Sequence, residues 1–201
     1  MDEGYIKYDC QWITGEPVLF EGFAEINNWR QRLHQLGLIG MNPNKIGFGN
    51  ISLRALGTNQ FYITGSATGG IKHLTEAHYT RVIDFDIKKN SLTCKGPIKA
   101  SSESLSHAAV YSAASEINAV VHVHHLKSWQ LLINQLPTTC NTVAYGTPEM
   151  HWEIIRLFKE TDLRTKQVLV MGGHPEGIVA FGRNMEEAGR ALMAQLTIEK
   201  P

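Results

Sequence analysis

The run Ala119-Val120-Val121-His122-Val123-His124-His125 constrains the fold more than any other stretch of this chain. Its valines favour a strand, and along a strand successive side chains face opposite ways. Val121 and Val123 then point to one face, and His122 and His124 point together to the other. Two imidazoles at this spacing can chelate one metal ion. A sheet face carrying two hydrogen-bonded histidines fits the same pattern, and the pair alone leaves both readings open.

The rest of the chain supplies a sheet and helices around this strand. Apolar residues Phe23, Ile26, Trp29, Leu33 and Leu36 recur at helical intervals between Glu21 and Leu38, with Gly37 and Gly40 where a C-cap would sit. Short β-prone runs follow at Ile51 to Leu53, Phe61 to Ile63 and Val82 to Phe85. Val168 to Met171 and Ile178 to Phe181 read as a hairpin. Helical patterns cover Glu103 to Ile117, Pro148 to Phe158 behind a Thr147 N-cap, and Asn184 to Leu196 behind a capping Asn184. Strands and helices interleave without a regular βαβ rhythm. The expected fold class is α/β, a three-layer αβα domain with a mostly antiparallel central sheet. No linker, repeat or charge block divides the chain, so residues 1–201 are read as one domain with 1–20 as an N-terminal extension.

A chain of 201 residues buries roughly 70% of the surface it exposes when unfolded, so any metal serves chemistry rather than folding. Lys plus Arg equals Asp plus Glu at 19 each, which supplies no field to attract nucleic acid or an anionic membrane. Cys10, Cys94 and Cys140 form no CxxC pair, so neither a disulfide framework nor a thiolate zinc site is readable. The acidic start and the lack of a long apolar run lead to the expectation of a soluble, cytoplasmic protein.

Three further features bear on chemistry. His174 follows an apolar strand in the turn Gly172-Gly173-His174-Pro175-Glu176-Gly177, where it reads either as an ordinary turn residue or as a side chain that the bent backbone aims into a shared cavity. With His122 and His124 it would complete a three-imidazole site open at a fourth position, the arrangement of catalytic zinc. Two glycine-rich loops, Gly47-Phe48-Gly49-Asn50 and Thr64-Gly65-Ser66-Ala67-Thr68-Gly69-Gly70, can converge backbone N–H groups on an anion or serve as tight turns. Glu103, in Lys99-Ala100-Ser101-Ser102-Glu103-Ser104, begins a helix, where a carboxylate can act on a substrate or stabilise the helix dipole. The chain has no HExxH, GxSxG or EF-hand loop, which removes metalloprotease, serine hydrolase and calcium-sensor readings.

In order, Gly49-Asn50-Ile51-Ser52-Leu53-Arg54, Ser66-Ala67-Thr68-Gly69, Ser101-Ser102-Glu103, Val120-Val121-His122-Val123-His124, Tyr145-Gly146-Thr147-Pro148-Glu149 and Gly173-His174 resemble the motifs of the class II aldolase/adducin family. That family includes fuculose-phosphate aldolase, ribulose-phosphate 4-epimerase and methylthioribulose-phosphate dehydratase. The resemblance runs from about Glu21 to the C-terminus. It implies a divalent metal, usually Zn²⁺, on His122, His124 and His174. It implies a substrate phosphate held by Gly49, Asn50, Thr68, Gly69, Ser101 and Ser102, and Glu103 as the acid/base. It implies a lyase acting on a small sugar phosphate, first of all retro-aldol cleavage of a ketose 1-phosphate through a metal-stabilised enediolate, with the dehydratase or epimerase reaction as alternative. A homo-tetramer with active sites near subunit contacts is implied as well. The chain has Ser66-Ala67-Thr68-Gly69 for the usual Thr-Pro-Ser-Gly, and Gly173-His174-Pro175-Glu176-Gly177 for the common Asn-His-Gly turn. Adducin-like members have lost catalysis, whereas this chain keeps the three histidines and the glutamate. Tyr145 and His125 are the candidates for a distal proton donor.

Overall fold

The strand that carries His122 and His124 lies inside an eight-stranded sheet, paired on both edges. The structure is a computed structural model that describes residues 5–17 and 19–197. The chain begins with β1 (Asp9–Thr14), α1 (Phe23–Gln35), the short pair β2 (Gly40–Met41) and β3 (Gly47–Phe48), then β4 (Asn50–Arg54) and β5 (Phe61–Thr64). It continues through β6 (Tyr79–Asp86), β7 (Ser91–Gly96), α2 (Ser104–Ala113), β8 (Ala119–His124) and α3 (Leu126–Leu132). The last elements are α4 (Pro148–Glu160), α5 (Leu163–Lys166), β9 (Val168–Val170), β10 (Gly177–Gly182) and α6 (Met185–Gln195).

The sheet order is β1-β7-β6-β5-β4-β8-β10-β9. Every neighbouring pair is antiparallel except β1 with β7. Alternation along β8 divides the interior into two layers. Val121 and Val123 join Ile26, Trp29 and Leu33 of α1 and Ala188 and Leu192 of α6. Val120 faces the other way, among Leu105, Ala108 and Ala109 of α2 and Met150, Ile154 and Leu157 of α4. This is the expected three-layer arrangement, and it places His122 and His124 on the α2/α4 side.

Local chemistry sets the helix ends. Thr147 Oγ1 accepts from the Met150 N–H and Asn184 Oδ1 from the Glu187 N–H, as N-caps do. Gly37, at φ 70°, takes the left-handed position just after the Leu36 C-cap of α1. The α2 helix is shorter than its apolar pattern, ending at Ala113. Six elements lie outside the sequence expectation: β1, the short pair β2 and β3, β7, α3 and α5. Within the segment read as an N-terminal extension, β1 adds a strand to the sheet by pairing with β7. No described helix is long and apolar enough to cross a membrane.

Candidate active site

Register brings the site together. In the β4–β8 ladder Asn50 lies opposite His122, and in the β8–β10 ladder Gly177 lies opposite His124. A Cβ on Gly177 would come within 2.7 Å of His174 Cδ2 and 3.3 Å of His122 Cε1, so glycine leaves the space that the His174 ring occupies. His122, His124 and His174 each place one ring nitrogen within 4.8 Å of the others'. His122 Nε2 and His124 Nε2 face each other at 3.1 Å. All three rings are buried. Burial pushes His124 well below the ordinary histidine value and His174 down to about 4, which keeps both neutral and their lone pairs available. Buried imidazoles converging on one point fit a divalent cation that takes nitrogen ligands and keeps a position open.

Glu103 is the N-cap residue of α2, yet its side chain makes no capping hydrogen bond. The carboxylate instead meets His122 Nε2 at 2.6 Å through Oε2 and His174 Nε2 at 3.5 Å through Oε1. Asn50 Nδ2 donates to Oε2 at 3.2 Å. Burial works to raise this carboxyl, but the contact with His122 and the neighbouring His174 and His124 rings hold it well below the usual carboxylate range. It is an anion poised beside the imidazole cluster.

One cavity runs from this cluster to the glycine-rich loops. Gly49, Asn50, Thr68, Gly69, Ser101, Ser102, Glu103, His124 and His174 all line it; His122 sits just behind. Gly49 has φ 73°, and a Cβ there would meet Ile39 Cγ1 at 2.8 Å and the His122 carbonyl oxygen at 3.1 Å. A Cβ on Gly69 would lie 2.2 Å from the Gly40 carbonyl oxygen. Of the two distal candidates, Tyr145 lines the cavity with its ring 4.6 Å from that of His174. His125 is the N-cap of α3: its Nδ1 accepts from the Ser128 N–H at 3.3 Å and lies 2.7 Å from Ser128 Oγ. It is absent from the cavity lining.

Two residues shaping the site were not singled out in the sequence. Arg30 of α1 is buried, and its Nη2 donates to the Thr68 and Gly69 carbonyls at 2.9 Å each while Nη1 donates to the Lys72 carbonyl at 3.2 Å. It ties down the second loop from behind. An arginine in line with Ile26 and Leu33 on the buried face of α1 was the available signal. His107 of α2 lies behind Asn50, with Nε2 2.6 Å from Asn50 Oδ1. It stands four residues after Glu103, one helical turn along the same face.

The model of the class II aldolase and adducin N-terminal domain matches residues 31–195. The chain belongs to that family. A methylthioribulose-1-phosphate dehydratase of Leptospira borgpetersenii serovar Hardjo-bovis is 32% identical over 111 residues, 49% of this chain and 42% of the relative. A methylthioribulose-1-phosphate dehydratase of Leptospira interrogans is 27% identical over 200 residues, covering 82% of this chain and 79% of the relative. The first of these matches thus spans less than half of the relative's length. Among class II aldolase folds, the L-fuculose-1-phosphate aldolase of Thermus thermophilus superposes with TM-score 0.61 at 20% identity, covering 86% of this chain and 88% of the other. A sugar-phosphate aldolase from Thermotoga maritima gives TM-score 0.59 at 18% identity, covering 85% and 89%.

Proposed function

We propose that this chain is a metal-dependent lyase of small sugar phosphates, and that its reaction is dehydration of a methylthioribulose-1-phosphate-type ketose. The observation that carries the lyase reading is the buried Glu103 carboxylate, 2.6 Å from His122 in a cluster of three histidines at the floor of a loop-lined cavity. The two relatives named as dehydratases support dehydration over aldol cleavage. His122, His124 and His174 would hold Zn²⁺ or a similar divalent ion, which supplies Lewis-acid polarisation of the substrate carbonyl when bound.

The protein's own groups do the rest. Asn50, Thr68, Gly69, Ser101 and Ser102, with Gly49 shaping the loop, bind the phosphate through N–H and hydroxyl donors. Glu103 takes the proton from the carbon next to the carbonyl, as a general base. The hydroxyl one carbon further leaves as water once it is protonated, and Tyr145, which lines the cavity, gives that proton. Retro-aldol cleavage uses the same binding groups but breaks a carbon–carbon bond. The reading includes a homo-tetramer in a reducing, cytoplasmic setting. Three cysteines without a disulfide fit that setting.

The test is incubation of the zinc-loaded protein with methylthioribulose 1-phosphate and a panel of other ketose phosphates. A product lighter by one water, without fragmentation, is the expected outcome. Release of dihydroxyacetone phosphate would move the assignment to aldol cleavage. No turnover on the panel at full metal occupancy would overturn the lyase reading in favour of a binding module. A monomeric mass for active protein would remove the tetramer.

A further inference from the structure

Behind the cavity, five side chains form an unbroken buried hydrogen-bond chain. Glu103 Oε2 accepts from Asn50 Nδ2 at 3.2 Å, and Asn50 Oδ1 lies 2.6 Å from His107 Nε2. His107 Nδ1 lies 2.6 Å from Ser52 Oγ, and Ser52 Oγ lies 2.8 Å from the Tyr111 hydroxyl. All five are buried. Asn50 and Ser52 sit two apart on β4, facing α2, which carries His107 and Tyr111 one turn from each other. Arg54, next on that face of β4, lies with its guanidinium carbon 4.6 Å from the Tyr111 ring centre and donates to the Tyr111 carbonyl at 2.9 Å. The far end of the chain is therefore held as firmly as the near end.

The direction of every bond follows from the carboxylate. An ionised carboxylate only accepts, so Asn50 must present its NH₂ to Glu103 and its carbonyl to His107. His107 Nε2 must then carry the proton, which leaves Nδ1 as an acceptor. Ser52 donates to Nδ1 and in turn accepts from Tyr111. Reversing the Asn50 amide would set its carbonyl oxygen against the carboxylate and reverse every bond behind it.

We propose that His107 is a positioning residue: as the neutral imidazole protonated on Nε2, it fixes the Asn50 amide so that an N–H holds the Glu103 carboxylate at the reacting carbon. This rests on the reading of Glu103 as the group that moves the proton. Its consequence for Asn50 is specific. Asn50 acts on the substrate side as a donor only, because its carbonyl is engaged by His107.

Histidine-selective ¹⁵N labelling of the zinc-loaded protein reads the tautomer directly. His107 is identified by the signal lost in His107→Gln, or by the signal that moves in Ser52→Ala. The expected pattern is one protonated Nε2 and one bare Nδ1; an Nδ1–H tautomer or an imidazolium at neutral pH would overturn the proposal. His107→Gln should lower kcat by about 10–10²-fold with zinc stoichiometry intact and KM little changed, the range for losing an outer hydrogen-bond partner. Ser52→Ala removes the donor to Nδ1 and leaves the imidazole in place. It should mix in the Nδ1–H tautomer and lower kcat in the same direction, and full kcat with a mixed tautomer would sink the link to catalysis. The NMR readout needs no substrate. Nε2–H on a protein that turns over nothing supports the side-chain arrangement while removing the lyase reading, whereas Nδ1–H on an active enzyme removes this proposal alone.

Discussion

Glu103 and His122 meet at 2.6 Å, one from the start of α2 and the other from the middle of the sheet, and both are buried. A carboxylate spent on capping would face the first N–H groups of its helix; this one faces the imidazole cluster. Glu103→Gln should therefore keep the fold and the metal but lower kcat by about 10²–10⁴, the range for losing one general acid or base. Exchange of the substrate's carbon-bound proton with solvent should fall in step. Metal analysis beside the kinetics decides the role: a variant that loses its zinc marks Glu103 as a ligand, and one with full turnover marks it as structural.

Gly177 offers a way to weaken the proposed metal site without replacing any of its three histidines. The Cβ of Gly177→Ala would sit 2.7 Å from His174 Cδ2 and 3.0 Å from the His174 carbonyl oxygen, so the ring has to move. Zinc affinity should drop by about 10–10²-fold, as when the support of a ligand is lost. The double variant His122→Ala, His124→Ala should abolish stoichiometric zinc altogether while its circular dichroism stays native. Competition with a chromophoric chelator measures both; unchanged affinity in Gly177→Ala would show that the His174 position is not what the ion requires.

Arg30 joins loop geometry to stability. Its guanidinium serves three carbonyls in a buried setting, two of them in the Thr68-Gly69 turn. Arg30→Leu keeps apolar bulk and strands those acceptors, at a cost of about 2–4 kcal/mol. A urea midpoint measures the loss. KM for a phosphorylated substrate should also rise, because the N–H groups of the same turn lose their fixed aim.

How far these features could be read from sequence depends on their range. The pairing of His122 with His124 follows from period-two alternation, and the caps at Thr147 and Asn184 from residue type, because each is local. Glu103 was legible as the start of a helix, but whether it capped that helix depended on β4 and β8 bringing Asn50 and His122 against it. Arg30 reaches 38 residues along the chain to Thr68, a contact without local trace. The β1 strand is mostly exposed, so it lacks the apolar alternation that marks a strand. In β7, buried Leu92 and Cys94 do alternate, but the polar residues around them hide the pattern.

The proposed phosphate subsite predicts a selective kinetic signature. Ser101 and Ser102 line the cavity beside Thr68 and Gly69, and none of these four carries a charge. Replacing both serines with alanine should raise KM for a phosphorylated ketose far more than for its dephosphorylated analogue. An equal effect on the two would rule the subsite out.

His151 makes acid stability testable apart from the site. It is fully buried on α4, and neither ring nitrogen has a hydrogen-bond partner among the described residues. Burial drives its pKa down to about 4, from an ordinary value near 6.5. The unfolded chain therefore takes up a proton on His151 at a pH where the folded chain does not, and stability that is full above about pH 6.5 is lost as the pH falls toward 4. At pH 5 that loss amounts to about 2 kcal/mol, and at pH 7 it is close to nothing. His151→Leu removes the titrating group and fills the space with apolar atoms. Urea unfolding of both proteins at pH 7 and pH 5 should show the variant gaining on the wild type by roughly that amount at the lower pH. An equal difference at the two values would mean that His151 is protonated, or reaches water, in the folded protein.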